Sequence, residues 1–434
     1  MFSTAVILAG GKGTRIQDSF PGIAKPMIPV GGKPVMQHII ETYSAQGIER
    51  FFITVGHLGD QIKDFFGDGE DWGVSIEYLT EQKPLGTAGA LYMLNGIIKT
   101  PFWVIYGDTI SSINLKKMEE FHLNKNAQLS LLVHPNDHPY DSDLINFDSN
   151  NRITQVYGAP HSVDLEIGNC VNAAFYILNP EIIDKIQEDI SSDFGRDLFP
   201  KWTKLFKMYA YNSTEYIKDM GKPERRAEVE DAYNDGKVHS RNLSQKQKAI
   251  FIDRDGVINL DTDLIRHQNE MKVFNFAGPA IRRVNQSKYI AIVITNQSVI
   301  ARGLCDLTTL NSIHSRMDKQ LGEMGAYIDF LYYCPHHPDN GYPEELPEYK
   351  IECDCRKPKP GMILAASKRF NIDLSKSWMI GDSQRDIEAG LSAGVQTIRV
   401  KTGHGNTKSS VKPNYSVDNL TSAVNLILGN TINK

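Results

Sequence analysis

A chain of 434 residues is too long for one ordinary hydrophobic core, so two domains are the natural expectation. Its 41% hydrophobic and 23% charged residues describe a globular protein, and a net charge of −5 excludes a general attraction to nucleic acid or acidic membranes. Five cysteines, few and odd in number, argue against an extracellular disulfide framework.

The opening, MFSTAVILAGGKGTR, has a short apolar run without a basic leader and passes directly into glycines, which reads as a cytoplasmic chain. VILAGGKGTR is a buried strand entering a glycine-rich turn, where backbone N–H groups can approach a phosphate. It is not a P-loop, because Gly11-Lys12 is followed by Gly13 and Val6 stands five residues before Gly11. Nor is it a dinucleotide fingerprint, which fails at Ile16. Strand-like RFFITVG and PFWVIYGD then alternate with helical stretches such as PVMQHIIETYSAQG. HPNDHPYDSD, from His134 to Asp143, gathers two histidines and three aspartates, but its prolines break any metal-ligand spacing, so a polar loop is the better reading.

From Asn234 to Lys248 the chain is polar and without apolar periodicity, which marks a linker at 236–247 between domains at 1–235 and 248–430. No apolar run reaches the roughly 20 residues of a membrane-spanning helix. Beyond the linker AIFIDRDG, YIAIVITNQ and SWMIGDS each read as a buried strand followed by a helical stretch. Both halves are therefore expected to be doubly wound α/β domains with mainly parallel sheets.

In the first half LAGGKGTR, KPMIPVGGKPV, PLGTAGAL, YGD and KDMGKPE occur in that order. This ordered set resembles the sugar-1-phosphate nucleotidyltransferases over roughly residues 1–230, and the resemblance implies a Rossmann-like domain. In such a reaction a sugar phosphate attacks the α-phosphorus of a nucleoside triphosphate and pyrophosphate leaves. The resemblance implies that the amides of Gly10, Gly11 and Gly13 cradle the triphosphate, with Arg15 on the departing pyrophosphate and Lys25 where the phosphates meet. It assigns Asp108 and Asp219 to Mg2+, a hard cation suited to carboxylates and substrate phosphates. Gly86 and Thr87 would pass under base and sugar, with Asn172 and Glu166 on the sugar. The bland alternatives are a helix cap for Asp108 and a solvated turn for Asp219. The sugar-phosphate lysine of the family's Glu-Lys-Pro is missing from VYGAPHSVDLEIGNCVNAAFYIL.

In the second half Asp253 and Asp255 follow a buried strand two residues apart, a spacing suited to a nucleophile and its neighbouring acid around Mg2+. A calcium loop is excluded by Leu264 at the twelfth position. With VITNQS, CRKPKPG and MIGDSQRD, the region resembles the haloacid dehalogenase phosphatases. That resemblance makes Asp253 the nucleophile and Asp255 the general acid and base. Thr295, Asn296, Arg356 and Lys357 then surround the phosphoryl group, Asp253, Asp255 and Asp382 hold Mg2+, and Asp386 is a cap or supporting group.

Cys334, His336, Cys353 and Cys355 form a Cys-x-His…Cys-x-Cys set that supplies four ligands for a structural zinc, with His337 as the alternative to His336. Cys170 and Cys305 are expected to be buried thiols. YYCPHHP, CDCRKPKPGM and TNQSVIARG narrow the resemblance to the heptose 1,7-bisphosphate phosphatases, with histidinol-phosphate phosphatases as near relatives. NLDTDLIRHQ lacks the family's histidine-glycine-tyrosine, and Ser383 stands where relatives often carry lysine.

The fusion implies consecutive steps: the 7-phosphate of a heptose 1,7-bisphosphate is removed, and the heptose 1-phosphate then receives a guanylyl group from GTP. GTP and heptose phosphates are thus the expected partners, without nucleic acid or membrane. A different hexose 1-phosphate with UTP or CTP, a histidinol phosphate, and a degenerate regulatory domain remain open alternatives, as does a homo-oligomer.

Overall fold

A computed structural model describes residues 1–429 apart from 12, 14, 15, 17, 163–166, 340 and 342. The chain divides into two compact units. The first comprises Met1–His134, Tyr140–His161 and Cys170–Asn242, and the second Pro135–Pro139, Ser162–Asn169 and Leu243–Lys434.

The first unit is built on a sheet that is nine-stranded among the described residues. Thr4–Leu8 lies at its centre, parallel to Arg50–Val55 on one side and Phe102–Tyr106 on the other. Ala5 and Ile7 point into one core while Val6 points into the other, so helices cover both faces and the strand reads as an unbroken apolar run. The sheet is not mainly parallel, however. Val171–Leu178 runs antiparallel to Phe102–Tyr106 and to Leu129–His134. Its register shifts between Asn172 and Tyr176, and Ala174 sits at φ 59° inside that irregularity. Such a bulge re-aims the side chains around it. Apolar periodicity reports burial and not strand direction, so this part was invisible to it.

The second unit carries a sheet that is six-stranded and wholly parallel among the described residues. Lys248–Ile252 is central, flanked by Tyr289–Asn296 and Trp378–Gly381. Ile250 and Ile252 enter one core, Ala249 and Phe251 the other. Each large side chain among them contributes roughly 1.5–3 kcal/mol by leaving water. With neighbours on both sides of the first strand, the topology opens a crevice at the strands' carboxyl ends.

The polar stretch between the halves is not structureless. It contains the short helix Lys237–Ser240, whose Val238 is buried in the first unit's core, while Leu243 is buried in that of the second. Gln247 then donates its N–H to the Asn371 carbonyl. Two isolated apolar residues give no periodicity, which is why composition alone reads this stretch as a linker. No helix among the described residues is long and apolar enough to cross a membrane.

Candidate active sites

In the first unit three parallel strands end side by side, and the segment leaving each one is packed closely. A Cβ on Gly10 would fall 2.2 Å from Glu81 Oε1, and one on Gly56 would fall 2.9 Å from the Gly10 carbonyl. Gly13 adopts φ +60°, the left-handed region that favours glycine, directly against the Lys25 side chain. Gly11 has open space where a side chain would stand. Arg15 and Glu166 lie outside the described residues.

Asp108 follows the strand Phe102–Tyr106, and its carboxylate pairs with the Lys25 ammonium. Asp219 is brought alongside by the antiparallel pairing of Ile217–Asp219 with Thr109–Ser111, which sets Asp219 opposite Thr109 and ties the Met220 N–H to the Asp108 carbonyl. Burial would raise the Asp219 carboxyl, but the Arg225 guanidinium, the Gly221 N–H and Lys25 hold it below the usual range. Two carboxylates beside one lysine form a donor set suited to Mg2+.

Gly86 adopts φ +76° with the Ser192 carbonyl 2.4 Å from where a Cβ would be. The Thr87 hydroxyl donates to Asp193 (2.9 Å) and accepts from the Phe194 N–H, so this side chain secures the 192–194 segment. Asn172 donates to the Asp143 carboxylate (3.4 Å) and accepts from the Ala174 N–H (3.1 Å). The His134–Asp143 loop belongs to none of the metal-capable clusters found among the described residues. Its Asp141 instead pairs with Lys222 and Arg225.

In the second unit the strand ends deliver one charged cluster. Asp253 follows Ile252, Thr295 and Asn296 close Tyr289–Asn296, and Asp382 follows Gly381. Lys357 is buried with its ammonium 2.8 Å from Asp253, 2.6 Å from Asp386 and 2.9 Å from the Ile294 carbonyl. Asn296 fixes the lysine's backbone by a reciprocal pair, donating to its carbonyl and accepting from its N–H, each at 3.0 Å. Thr295 accepts from the Gln297 amide.

Asp253, Asp382 and Asp386 converge closely enough to hold one ion. Burial, followed by the nearby Asp386 charge, pushes the Asp253 carboxyl well above its ordinary range. Burial and Asp386 likewise push Asp382 up to about 6. Three carboxylates against one ammonium leave excess negative charge in a buried volume, which a divalent cation would offset. The Asp255 carboxylate is outside that group. Arg254, Asn259 and Gln297 hold it and outweigh its burial, so that it stays below the usual range.

Asp386 is the residue whose reach the sequence understated. It caps the helix Gln384–Ala393, accepting from the Ser383 N–H (2.9 Å) and hydroxyl (2.6 Å), and it also faces Lys357. Its place one helical turn after Asp382 was the available signal.

The four Cys/His residues also converge. Cys334 Sγ lies 3.2 Å from Cys355 Sγ and 3.5 Å from Cys353 Sγ, and His336 Nδ1 is 3.4 Å from Cys355 Sγ. These separations approach the edges of a tetrahedron with Zn–S bonds of roughly 2.3 Å. His337 turns elsewhere, its Nδ1 accepting from the Asp339 N–H and its Nε2 lying near Arg302. Arg356 donates to the His336 carbonyl (3.0 Å). Cys170 and Cys305 are partly exposed, contrary to expectation. Both sit outside regular strands and helices, where apolar patterning says nothing about depth.

The two sites define a protein with a nucleotidyl-transferring half and a phosphatase half. Residues 4–236, more than half of the chain, match the Nucleotidyl transferase family, and residues 354–423 match the HAD-hydrolase-like family. Over 185 residues the chain is 38% identical to the D-glycero-beta-D-manno-heptose-1,7-bisphosphate 7-phosphatase of Pasteurella multocida, covering 42% of this chain and 98% of that protein. The chain thus belongs to the Nucleotidyl transferase family through its first half and to the family of these phosphatases through its second.

Among solved structures, HddC from Yersinia pseudotuberculosis is 28% identical and covers 54% of this chain and 100% of its own, with a TM-score of 0.47. The D,D-heptose 1.7-bisphosphate phosphatase from B. bronchiseptica, complexed with magnesium and phosphate, is 35% identical and covers 42% and 98%, with a TM-score of 0.38.

Proposed function

We propose that this chain removes the 7-phosphate of D-glycero-D-manno-heptose 1,7-bisphosphate and transfers GMP from GTP to the resulting heptose 1-phosphate. The observation that carries the reading is that two separate carboxylate–lysine clusters, each suited to phosphate chemistry, stand in two families whose products and substrates join.

In the phosphatase half an Asp253 carboxylate oxygen attacks the phosphorus, the bond to the C7 oxygen breaks, and an aspartyl-phosphate forms. Asp255 can deliver a proton to the departing sugar oxygen only after binding of the substrate loosens the Arg254 and Gln297 contacts and lets its carboxyl take one up; it then accepts a proton from the water that hydrolyses the intermediate. Lys357, anchored by Asp386 and the Ile294 carbonyl, holds a phosphoryl oxygen against Asp253. Thr295, Asn296 and Arg356 shape the remaining wall. Asp253, Asp382 and Asp386 would hold Mg2+, which would neutralise charge on the transferring group, whereas the Asp255 carboxylate, expected from the sequence as a ligand, is held away from them by Arg254, Asn259 and Gln297. Cys334, His336, Cys353 and Cys355 would hold a zinc ion that would fix the loop carrying Arg356 and Lys357.

In the transferase half a phosphate oxygen of heptose 1-phosphate attacks the α-phosphorus of GTP, and pyrophosphate leaves. The amides of Gly10, Gly11 and Gly13, with Arg15, receive the triphosphate, and Lys25 stands where the two phosphates meet. Gly86 and Thr87 form the floor under base and sugar, and Asn172 contacts the sugar. Asp108 and Asp219 would hold Mg2+, which would supply charge neutralisation at the α-phosphorus. Catalysis of this kind is mostly positioning, which suits a site made of backbone and small residues.

Product analysis tests the whole reading. The protein is supplied with the α- or β-anomer of heptose 1,7-bisphosphate and each of GTP, ATP, UTP and CTP. GDP-heptose, phosphate and pyrophosphate are expected with GTP, and support by UTP or CTP alone would overturn the guanylyl assignment.

A further inference from the structure

Among the charged groups outside the machinery above, one side chain in the transferase half is bonded more completely than any fold requirement explains. Arg225 opens the helix Pro223–Asn234. Its Nη1 donates to both oxygens of Asp219, at 2.9 and 3.1 Å, and its Nη2 to both oxygens of Asp141, at 3.0 and 2.8 Å. The guanidinium thus forks between two carboxylates that are far apart in sequence, and Lys222 Nζ adds a third cation–carboxylate contact at Asp141 (2.9 Å).

Each end of the fork leads to a different substrate. At one end, Asp219 Oδ2 also accepts from the Gly221 N–H (2.8 Å). With three of about four acceptor directions used, the carboxylate is fixed in orientation and keeps one direction for a cation beside Asp108. At the other end, Asp141 lies two residues before Asp143. The Asp143 carbonyl accepts from the Asn172 N–H (2.9 Å), and its carboxylate accepts from the Ala159 N–H (2.9 Å) and packs where a Cβ on Gly195 would be. The fork therefore joins the cation side of the site to the loop that holds Asn172.

We propose that Arg225 is a positioning residue that braces Asp219 against the Asp141–Asp143 loop, so that cation affinity and sugar-phosphate affinity are set by one guanidinium. This rests on the assignment of Asp108 and Asp219 to Mg2+. Arginine is required because a lysine ammonium keeps the charge but cannot bond two carboxylates in two-fold fashion. The charge-conserving substitution thereby separates geometry from electrostatics. Simple removal of the cation would confuse the two, since it also leaves more negative charge to attract a metal.

The test measures Mn2+ binding by electron paramagnetic resonance, without substrates or turnover, in full-length protein that also carries Asp382→Asn, so that the carboxylate cluster of the second unit does not contribute. Arg225→Lys is expected to weaken Mn2+ binding about tenfold, the scale on which groups supporting metal ligands act. At saturating Mg2+ it should raise KM for the sugar phosphate several-fold and leave KM for GTP within about twofold. Arg226→Lys, one position along the same helix, should change none of these. Asp141→Asn approaches the brace from its other end, without touching Asp219, and should raise the sugar-phosphate KM in the same way; it also serves if Arg225→Lys does not fold. Wild-type Mn2+ affinity in a folded Arg225→Lys protein, or an unchanged sugar-phosphate KM in Asp141→Asn, overturns the brace. If Asp219→Asn itself binds Mn2+ as the wild type does, the metal assignment falls first and the brace falls with it.

Discussion

The two halves handle phosphates with similar residue types held at different depths. In the transferase half Lys25, Asp108 and Asp219 retain 14%, 23% and 33% side-chain exposure. In the phosphatase half Lys357 and Asp386 retain 3% and 0%. The difference follows the chemistry. A site that joins two incoming substrates must stay open to both. On the proposed mechanism, a site whose own carboxylate becomes the nucleophile gains from a dry, fixed surrounding.

The largest effect should come from breaking the deeper cluster. Asp253→Asn replaces a nucleophile by an amide and should lower phosphate release by about four orders of magnitude or more, while nucleotidyl transfer to supplied heptose 1-phosphate continues. Phosphate assays on the bisphosphate, run beside pyrophosphate assays, check both parts. Unchanged phosphate release would remove Asp253 from its role.

In the more open site the loss should be smaller. Asp108→Asn is expected to lower nucleotidyl transfer by about two to three orders of magnitude and stop the sequence at heptose 1-phosphate. Mixing this variant with Asp253→Asn should restore GDP-heptose, because a diffusible intermediate can pass from one intact half to the other. Failure of the mixture would show that the two reactions do not run independently.

A weaker perturbation addresses the Cys/His cluster. Cys353→Ser should lower bound zinc below one equivalent and phosphatase activity about tenfold, with nucleotidyl transfer unaffected. Elemental analysis together with hydrolysis rates decides the matter; zinc-free protein of normal activity would sink the structural-metal reading.

The smallest effect concerns stability and sharpens the contrast in depth. His314 is buried in the second unit without a partner for Nε2 among the described residues, and burial, then the positive charge of Arg254, lowers its pKa to about 3. Below pH 6.5 the unfolded chain gains a proton that the folded unit cannot accept, so stability falls as the pH drops from 6.5 toward 3. Between pH 7 and 5 this costs about 2 kcal/mol, and His314→Gln should flatten the dependence in denaturant titrations. An unchanged slope would mean the histidine titrates normally.

Much of this architecture was legible because buried strands leave unbroken apolar runs and the functional acids follow them directly. Asp108, Asp253 and Asp382 are found by that rule alone. Asp386 was only half legible, since a helix cap and a partner for a buried lysine look the same in sequence. The link between Asp141 and Arg225 could not be read, because the two residues are 84 positions apart and meet only through the tertiary fold. The antiparallel portion of the first sheet escaped for a similar reason: a strand buried on both faces shows neither its direction nor its bulge.

The Asp386 carboxylate closes the first turn of the helix Gln384–Ala393 and faces the ammonium of Lys357 with the same side chain. On the proposed roles, competence for hydrolysis is thus tied to a residue that comes late in the chain. A nascent domain that has emerged only as far as the cysteine-rich loop already contains Asp253, Asp255, Lys357 and the Ile294 carbonyl, yet lacks the Asp386 carboxylate that faces the lysine. The growing polypeptide therefore carries no finished hydrolase until the strand Trp378–Gly381 and the following helix have docked.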